Sequence, residues 1–185
     1  MNQRSYSTEA VILSRRNYGE ADRLLTIFSK HYGKLRVVAK GIRRTTSRKK
    51  GSLELFNYSR MLLIKGKNMD LIADTEIKND FSAWRKDLKR VGVAYHLSEV
   101  VERLTPEGQE LEDVFNLLVL AFEKLDKMKY EQLVEFVYRF KIRVLEELGF
   151  LGRNREVPKD LDEFIGDLIN GELKTKKFLK TLGAN

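Results

Sequence analysis

The chain has 185 residues, a net charge of +8 and no cysteine, which excludes disulfides, thiolate catalysis and cysteine-based zinc sites. Hydrophobic residues make up 42% and charged residues 34% of it, a composition typical of one large or two small globular domains. We expect neither a signal peptide nor a membrane-spanning helix, because the apolar stretches are short. The two histidines are too few for a multi-histidine metal site.

The first 80 residues show the pattern of a small β-barrel. Segments rich in β-branched, leucine and aromatic residues alternate with turns that contain glycine. Five strands in this length predict a closed or partly closed barrel of the OB-fold or SH3-like type. We expect the strands at 5–15, 22–30, 34–40, 53–65 and 70–78.

A hairpin of the second and third strands would place cations around an aromatic ring. With His31-Tyr32-Gly33 as the loop, Lys30 pairs with Lys34 and Phe28 with Arg36, and opposite residues share a face. One face is apolar and suits the core. The other face contains Phe28, Lys30, Lys34, Arg36 and Lys40.

This second face has the chemistry of a site for single-stranded nucleic acid. A base can stack on the aromatic ring while the cations neutralise the phosphates. Tyr32 in the turn is a second candidate for stacking. The alternative is that Phe28 packs under a neighbouring loop and that the cations only keep the edge soluble.

The loop between Gly41 and Gly51 extends the basic surface. Five cations and three hydroxyl side chains suit a mobile arm that closes on a phosphate backbone, with binding that is non-specific and salt-sensitive. A basic localisation patch is the alternative. The predicted DNA-binding cations of this loop are Arg43, Arg44, Arg48, Lys49 and Lys50.

After residue 80 the apolar spacing becomes helical. Ser82 is a candidate N-cap for a helix that runs to about Leu104, and Thr105-Pro106-Glu107-Gly108 ends it. The segment 130–148 is apolar almost all round, which predicts the central helix. Further helices are expected at 110–127, 160–170 and 174–182. The fold class is therefore α+β, with a five-stranded barrel domain at 1–80 and an all-α domain at 81–185.

The excess positive charge lies in the barrel half. Residues 1–80 contain 17 basic and 8 acidic side chains, whereas residues 81–185 contain 18 and 19. The segment from Lys30 to Lys50 has nine basic residues and no acid. Segregated positive charge predicts a polyanion partner, with a solvated basic loop as the alternative.

Catalytic motifs are scarce. The chain has no phosphate-binding loop of the Gly-x-x-x-x-Gly-Lys type, no Gly-x-Gly-x-x-Gly and no nucleophile elbow. Asp74, Glu76 and Lys78 share a strand face in a pattern similar to Mg²⁺-dependent nucleases. We expect a non-enzymatic DNA-binding protein, with such a nuclease, or an adaptor that acts through the helical half, as alternatives.

Two strings near the N-terminus carry a family resemblance. They are Tyr18-Gly19-Glu20-Ala21-Asp22 and Ala39-Lys40-Gly41-Ile42-Arg43-Arg44, and weaker similarity continues to Leu145-Glu146-Glu147-Leu148-Gly149-Phe150. On these residues the chain resembles the RecO family of bacterial recombination mediators. The resemblance implies an N-terminal OB-fold, a helical domain, and a cytoplasmic, nucleoid-associated protein that needs no cofactor.

The resemblance also implies partners and contact residues. The implied partners are single- and double-stranded DNA, whose complementary strands the family anneals, RecR and, indirectly, RecA, which replaces single-stranded DNA-binding protein during recombinational repair of the RecF/RecR type. Carried over by position, the family's DNA contacts fall on Lys34, Arg36, Lys40, Arg43, Arg44 and Arg48.

For the helical domain, the resemblance implies a site for the acidic, Phe-ending tail of single-stranded DNA-binding protein. The best matching positions are Arg139 and Arg143, with local ion pairs to Glu135 and Glu147 as the alternative. Many family members carry a four-cysteine zinc module after the Gly-Phe segment, whereas 152–161 here is a short charged linker without cysteine. We therefore expect a short variant without a metal site.

Overall fold

The structure is a computed structural model that describes residues 4–47, 49–152 and 156–182. The chain divides into a first unit of residues 1–80 and 106–115 and a second unit of residues 81–105 and 116–185. Within the described ranges, no helix is long and apolar enough to cross a membrane. In chain order the elements are β1 (Ser5–Tyr18), β2 (Asp22–Ser29), β3 (Gly33–Ala39), β4 (Tyr58–Ile64), β5 (Asp70–Asn79), α1 (Leu88–Leu104), α2 (Glu112–Lys124), α3 (Leu133–Glu147), α4 (Leu161–Ile169) and α5 (Lys176–Leu182).

The five strands close into a barrel in the order β1-β2-β3-β5-β4. Neighbouring strands are antiparallel except at the seam between β3 and β5, where two residue pairs run parallel, Val37 with Asp70 and Val38 with Leu71. This closed five-stranded barrel, followed by helices, confirms the predicted OB-fold and the α+β class.

Alternating side chains fill the interior of the barrel. In β4, Ser59, Met61 and Leu63 are buried, whereas the residues between them are exposed, because successive side chains of a strand point to opposite faces. The predicted apolar face of the β2–β3 hairpin also lies inside. The core cluster consists of Ala10, Ile12, Leu25, Ile27, Val37, Ala39, Ile42, Leu53, Met61, Leu63 and Ile72.

Helix α1 begins later than the sequence predicts. Asp87, rather than Ser82, is its N-cap, and the Asp87 carboxylate accepts hydrogen bonds from the backbone N–H groups two and three residues later. Residues 82–86 form turns instead. The buried Trp84 lies in this segment, and its Nε1 donates to the carbonyl oxygen of Phe122 at 2.9 Å.

The central helix of the second unit is α1 and not the predicted segment 130–148. Helix α1 packs against α3, α4 and α5. The segment 130–148 forms a short 3₁₀ turn followed by α3, and Val134 and Tyr138 of α3 stay exposed. Although α3 is apolar on most of its surface, one of its faces therefore remains exposed.

Candidate nucleic-acid interface

The β2–β3 hairpin has a different register from the predicted one. Phe28 pairs with Lys34, and Ser29 pairs with Gly33, whereas the sequence pattern placed Phe28 opposite Arg36. The turn determines this register, because the Ser29 hydroxyl donates to the carbonyl oxygen of Gly33 at 2.9 Å. The two registers differ by two residues, so the predicted cations still share one face.

Phe28 lies on that face but is not exposed. It is fully buried, and its ring centroid lies 6.4 Å from that of Phe115, which also meets the ring of Tyr58 edge-on at 5.9 Å. Stacking on a base needs an accessible ring face. The expected platform at Phe28 is therefore wrong for this conformation, because residues 106–115 pack over it.

Residues 106–115, which we call the acidic strap, cover the hairpin. The strap contains four acids and no base, so its inclusion lowers the net charge of the first unit from +9 to +5. Three of its carboxylates contact basic side chains of the hairpin, of which Lys30 and Arg36 are predicted DNA-binding residues. These contacts join Glu107 to Arg36 at 2.5 Å, Glu110 to Nδ1 of His31 at 3.2 Å and Glu112 to Lys30 at 3.3 Å.

Backbone contacts fix the strap to the start of β3. The N–H of Gly108 donates to the carbonyl oxygen of Lys34 at 3.0 Å. Gly33 has a φ of +60°, and a Cβ there would overlap the carbonyl oxygen of Gln109. Glycine is needed at this position for both reasons.

Tyr32 remains the accessible aromatic residue of the hairpin turn. It is 40% exposed, and its ring packs on that of Tyr6 at a centroid distance of 4.5 Å. Burial and the hydrogen bond to Asp70 raise the pKa of the Tyr6 phenol above its ordinary value. Tyr6 is thereby held as a neutral, fixed support for the Tyr32 ring.

The loop after β3 presents cations that the strap does not reach. Lys40, Arg44 and Lys50 are exposed, and no carboxylate of a described residue forms an ion pair with them. The loop is anchored on both sides, because Ile42 and Leu53 are buried in the barrel core. These three cations therefore stand on a supported loop rather than on a wholly mobile arm.

Other cations of this loop make backbone contacts. The guanidinium of Arg43 donates to the carbonyl oxygens of Gly19 and Glu20, at 3.4 and 3.1 Å. The ammonium of Lys49 donates to the carbonyl oxygen of Ala73 in β5. Lys49 is half-buried, so its contact role is structural in this conformation. Arg48 lies outside the described residues.

The residues of the nuclease alternative are not gathered into a metal site. Asp74 lies opposite Leu62 and Glu76 opposite Arg60, while the ammonium of Lys78 lies 3.1 Å from Glu9. In the described part of the chain, one trio of acidic and histidine side chains brings its ligand atoms within 4.8 Å of one another, and it belongs to the strap contacts. This trio is His31, Glu110 and Glu112.

The two arginines selected for a partner tail form local ion pairs. Nε of Arg139 lies 2.6 Å from the carboxylate of Glu135, one helical turn earlier. Arg143 contacts Glu146 at 2.8 Å and Glu147 at 3.0 Å. Both guanidinium groups are exposed, so these pairs are weak. The partner role of the two arginines stays a prediction.

The second unit buries a polar cluster around His96. The Thr175 hydroxyl donates its one proton to Glu99, so its oxygen accepts from Nδ1 of His96 at 2.6 Å. Among the described residues, the buried Nε2 of His96 has no hydrogen-bond partner. Burial and the nearby charge of Lys141 lower the pKa of His96 to about 4. His96 is thus a neutral packing residue at physiological pH.

Comparison with known proteins agrees with this arrangement. The family model described as "Recombination protein O N terminal" matches residues 1–81, and the one described as "Recombination protein O C terminal" matches residues 85–151. Together these matches take in the barrel and the helices up to the end of α3.

Curated relatives named "DNA repair protein RecO" also match this chain. The protein of Pelotomaculum thermopropionicum is 35% identical over 145 residues, which are 78% of this chain and 56% of the relative. That of Alkaliphilus metalliredigens is 38% identical over 143 residues, 77% and 57% of the two chains. That of a Roseiflexus species is 36% identical over 150 residues, 81% and 52%. The chain spans about half the length of these relatives, and it belongs to the RecO family of DNA repair proteins.

Proposed function

We propose that this chain is a non-enzymatic DNA-binding protein that anneals single strands and assists RecA loading in recombinational repair. The observation that carries the proposal is the group of exposed cations Lys40, Arg44 and Lys50 on the loop after β3, which form no ion pair with a carboxylate in the described part of the chain. Surface cations without acidic partners are free to neutralise phosphates. The names of the RecO relatives support DNA repair as the setting.

Phosphate neutralisation is the mechanism that this surface supports. Two DNA strands repel each other through their phosphates, and cations on the barrel lower that repulsion so that complementary bases can meet. Contacts to the backbone carry no sequence information, which suits a protein that acts on any strand. Tyr32, 40% exposed, is placed to add weak stacking.

The partner contacts follow from the family and remain part of this proposal. RecR would act together with the chain, and the acidic tail of single-stranded DNA-binding protein would bind the helical unit near Arg139 and Arg143. The guanidinium groups of both arginines are exposed, so an acidic tail can reach them and compete with the local carboxylates. RecA is the indirect partner, and we place the protein in the bacterial cytoplasm with the nucleoid.

The test is fluorescence anisotropy of labelled single- and double-stranded oligonucleotides over a salt series without metal. We expect affinity to fall steeply with salt. The triple variant Lys40→Ala, Arg44→Ala, Lys50→Ala should reduce the log–log salt slope for a single strand by about 2, since each phosphate contact contributes ~0.7.

A matched variant controls for net charge. Lys86→Ala, Lys127→Ala, Lys159→Ala removes the same charge from exposed positions of the helical unit and should leave the slope unchanged. If the wild-type chain does not bind DNA even at low salt, the proposal is wrong, and an adaptor acting through the helices becomes the better explanation. Binding is then followed by an annealing assay with complementary strands.

A further inference from the structure

The contacts of the acidic strap are of two separate kinds. Phe115 and the N–H of Gly108 seat the strap on the barrel through apolar packing and a backbone hydrogen bond. Neither contact needs a negative charge. The carboxylates of Glu107, Glu110 and Glu112 form a second set, and each one faces a basic side chain of the β2–β3 hairpin.

These charge pairs lie at the surface, where they can exchange. The side chains of Arg36 and Glu107 are 56% and 50% exposed, and those of Lys30 and Glu112 are 30% and 44% exposed. Exposed ion pairs are weak and screened by salt. A phosphate backbone offers the same cations a comparable or stronger partner, because a nucleic acid strand presents many charges in a row.

We propose that the hairpin is a second polyanion-binding face and that the acidic strap competes with nucleic acid for its cations. The carboxylates of Glu107 and Glu112 occupy the positions at which phosphates would be neutralised by Arg36 and Lys30. The strap therefore weakens binding at this face and leaves the loop cations Lys40, Arg44 and Lys50 as the first point of contact. This inference rests on the DNA binding proposed above.

The test replaces the strap carboxylates by their neutral isosteres. The variant Glu107→Gln, Glu110→Gln, Glu112→Gln keeps the shape of the strap and its Phe115 anchor. We expect its affinity for a labelled oligothymidylate at low salt to rise by roughly 2-fold to 25-fold, because the exposed pairs of Lys30 and Arg36 each contribute a factor of about 1.4 to 5. The salt slope should steepen by up to about 1.4 if two more phosphates are neutralised.

Two further variants separate local competition from other effects. Glu123→Gln, Glu131→Gln, Glu163→Gln changes the net charge equally at exposed positions of the helical unit and should leave the affinity near that of the wild type. Adding Lys30→Ala and Arg36→Ala to the strap variant should abolish its gain. If the triple variant does not fold, Glu107→Gln alone tests the inference, and its affinity for the oligothymidylate should rise by up to about 5-fold.

The outcomes distinguish this inference from the proposed function. A gain in the strap variant that the control lacks, and that is lost without Lys30 and Arg36, supports competition. Wild-type binding through the loop with no gain in the strap variants refutes it and makes the carboxylates purely structural. Absence of binding in wild type and strap variants alike refutes both proposals.

Discussion

Acidification is expected to destabilise the helical unit, and the buried His96 sets the pH window. Burial and the charge of Lys141 lower its pKa to about 4, against an ordinary value of 6.5. A proton on Nε2 would be buried without a partner. The unfolded chain therefore takes up a proton near pH 6.5, and the folded chain resists it until about pH 4.

The sign and size follow from this difference in proton binding. The unfolded state binds more protons than the folded state between the two pKa values. The free energy of unfolding is therefore highest above pH 6.5 and falls as the pH is lowered toward 4. The loss attributable to His96 is roughly 2 to 3 kcal/mol, at about 1.36 kcal/mol per pKa unit. Hydrogen bonds from Thr175 and Lys174 outweigh burial and lower the pKa of Glu99 below its ordinary 4.5. Its contribution is therefore lost only as the pH falls below about 4.5, at the lower end of the window of His96.

The assay is urea unfolding between neutral pH and pH 4.5, followed by tryptophan fluorescence. Trp84 is the one tryptophan of the chain and is buried in the same unit as His96. His96→Gln should remove most of the pH dependence, whereas His31→Gln, which changes the only other histidine, should retain it. An unchanged pH dependence in His96→Gln would refute the reasoning.

Three further changes test the seating of the strap and the start of α1. Phe115→Ala should destabilise the first unit by about 3 to 5 kcal/mol through the cavity beside Phe28, measured by thermal unfolding, whereas an effect below about 1 kcal/mol would contradict the packing. Gly33→Ala should cost ~1 kcal/mol or more from its positive φ and its overlap with Gln109, and proteolysis within the strap should accelerate. Asp87→Ala should cost about 1 kcal/mol or more of helical stability in a urea titration, and Asp87→Asn, which keeps the cap but loses the charge facing Arg90, should cost less than Asp87→Ala.

The barrel could be predicted because its residues alternate regularly. In β4 the pattern of buried Ser59, Met61 and Leu63 between exposed neighbours follows directly from the pleat of a strand. The apolar face of the hairpin was predicted for the same reason. The start of α1 was not predicted correctly. Ser82 and Asp87 are both good N-cap residues, and the position of Trp84 against Phe122 decides between them.

The hairpin register shows a different limit. A slip of two residues leaves every side chain on its face, so the alternation that placed Phe28 with the cations is the same for both registers. The hydrogen bonds of Ser29 in the turn settle the pairing with Gly33. Local turn chemistry therefore carries information that hydrophobic pattern lacks.

The acidic strap was missed because its role depends on contacts between residues far apart in the chain. A signal was present, since 106–115 holds four acids and no base while 30–50 holds nine bases and no acid. Two such complementary runs attract one another, yet nothing in either run alone states that they meet. The contact between them changes the functional interpretation, because strap carboxylates form ion pairs with Lys30 and Arg36, which the sequence analysis predicts to bind DNA. Lys40, Arg44 and Lys50 on the loop after β3 form no ion pair with a carboxylate of the described residues, and first contact with a polyanion is expected there.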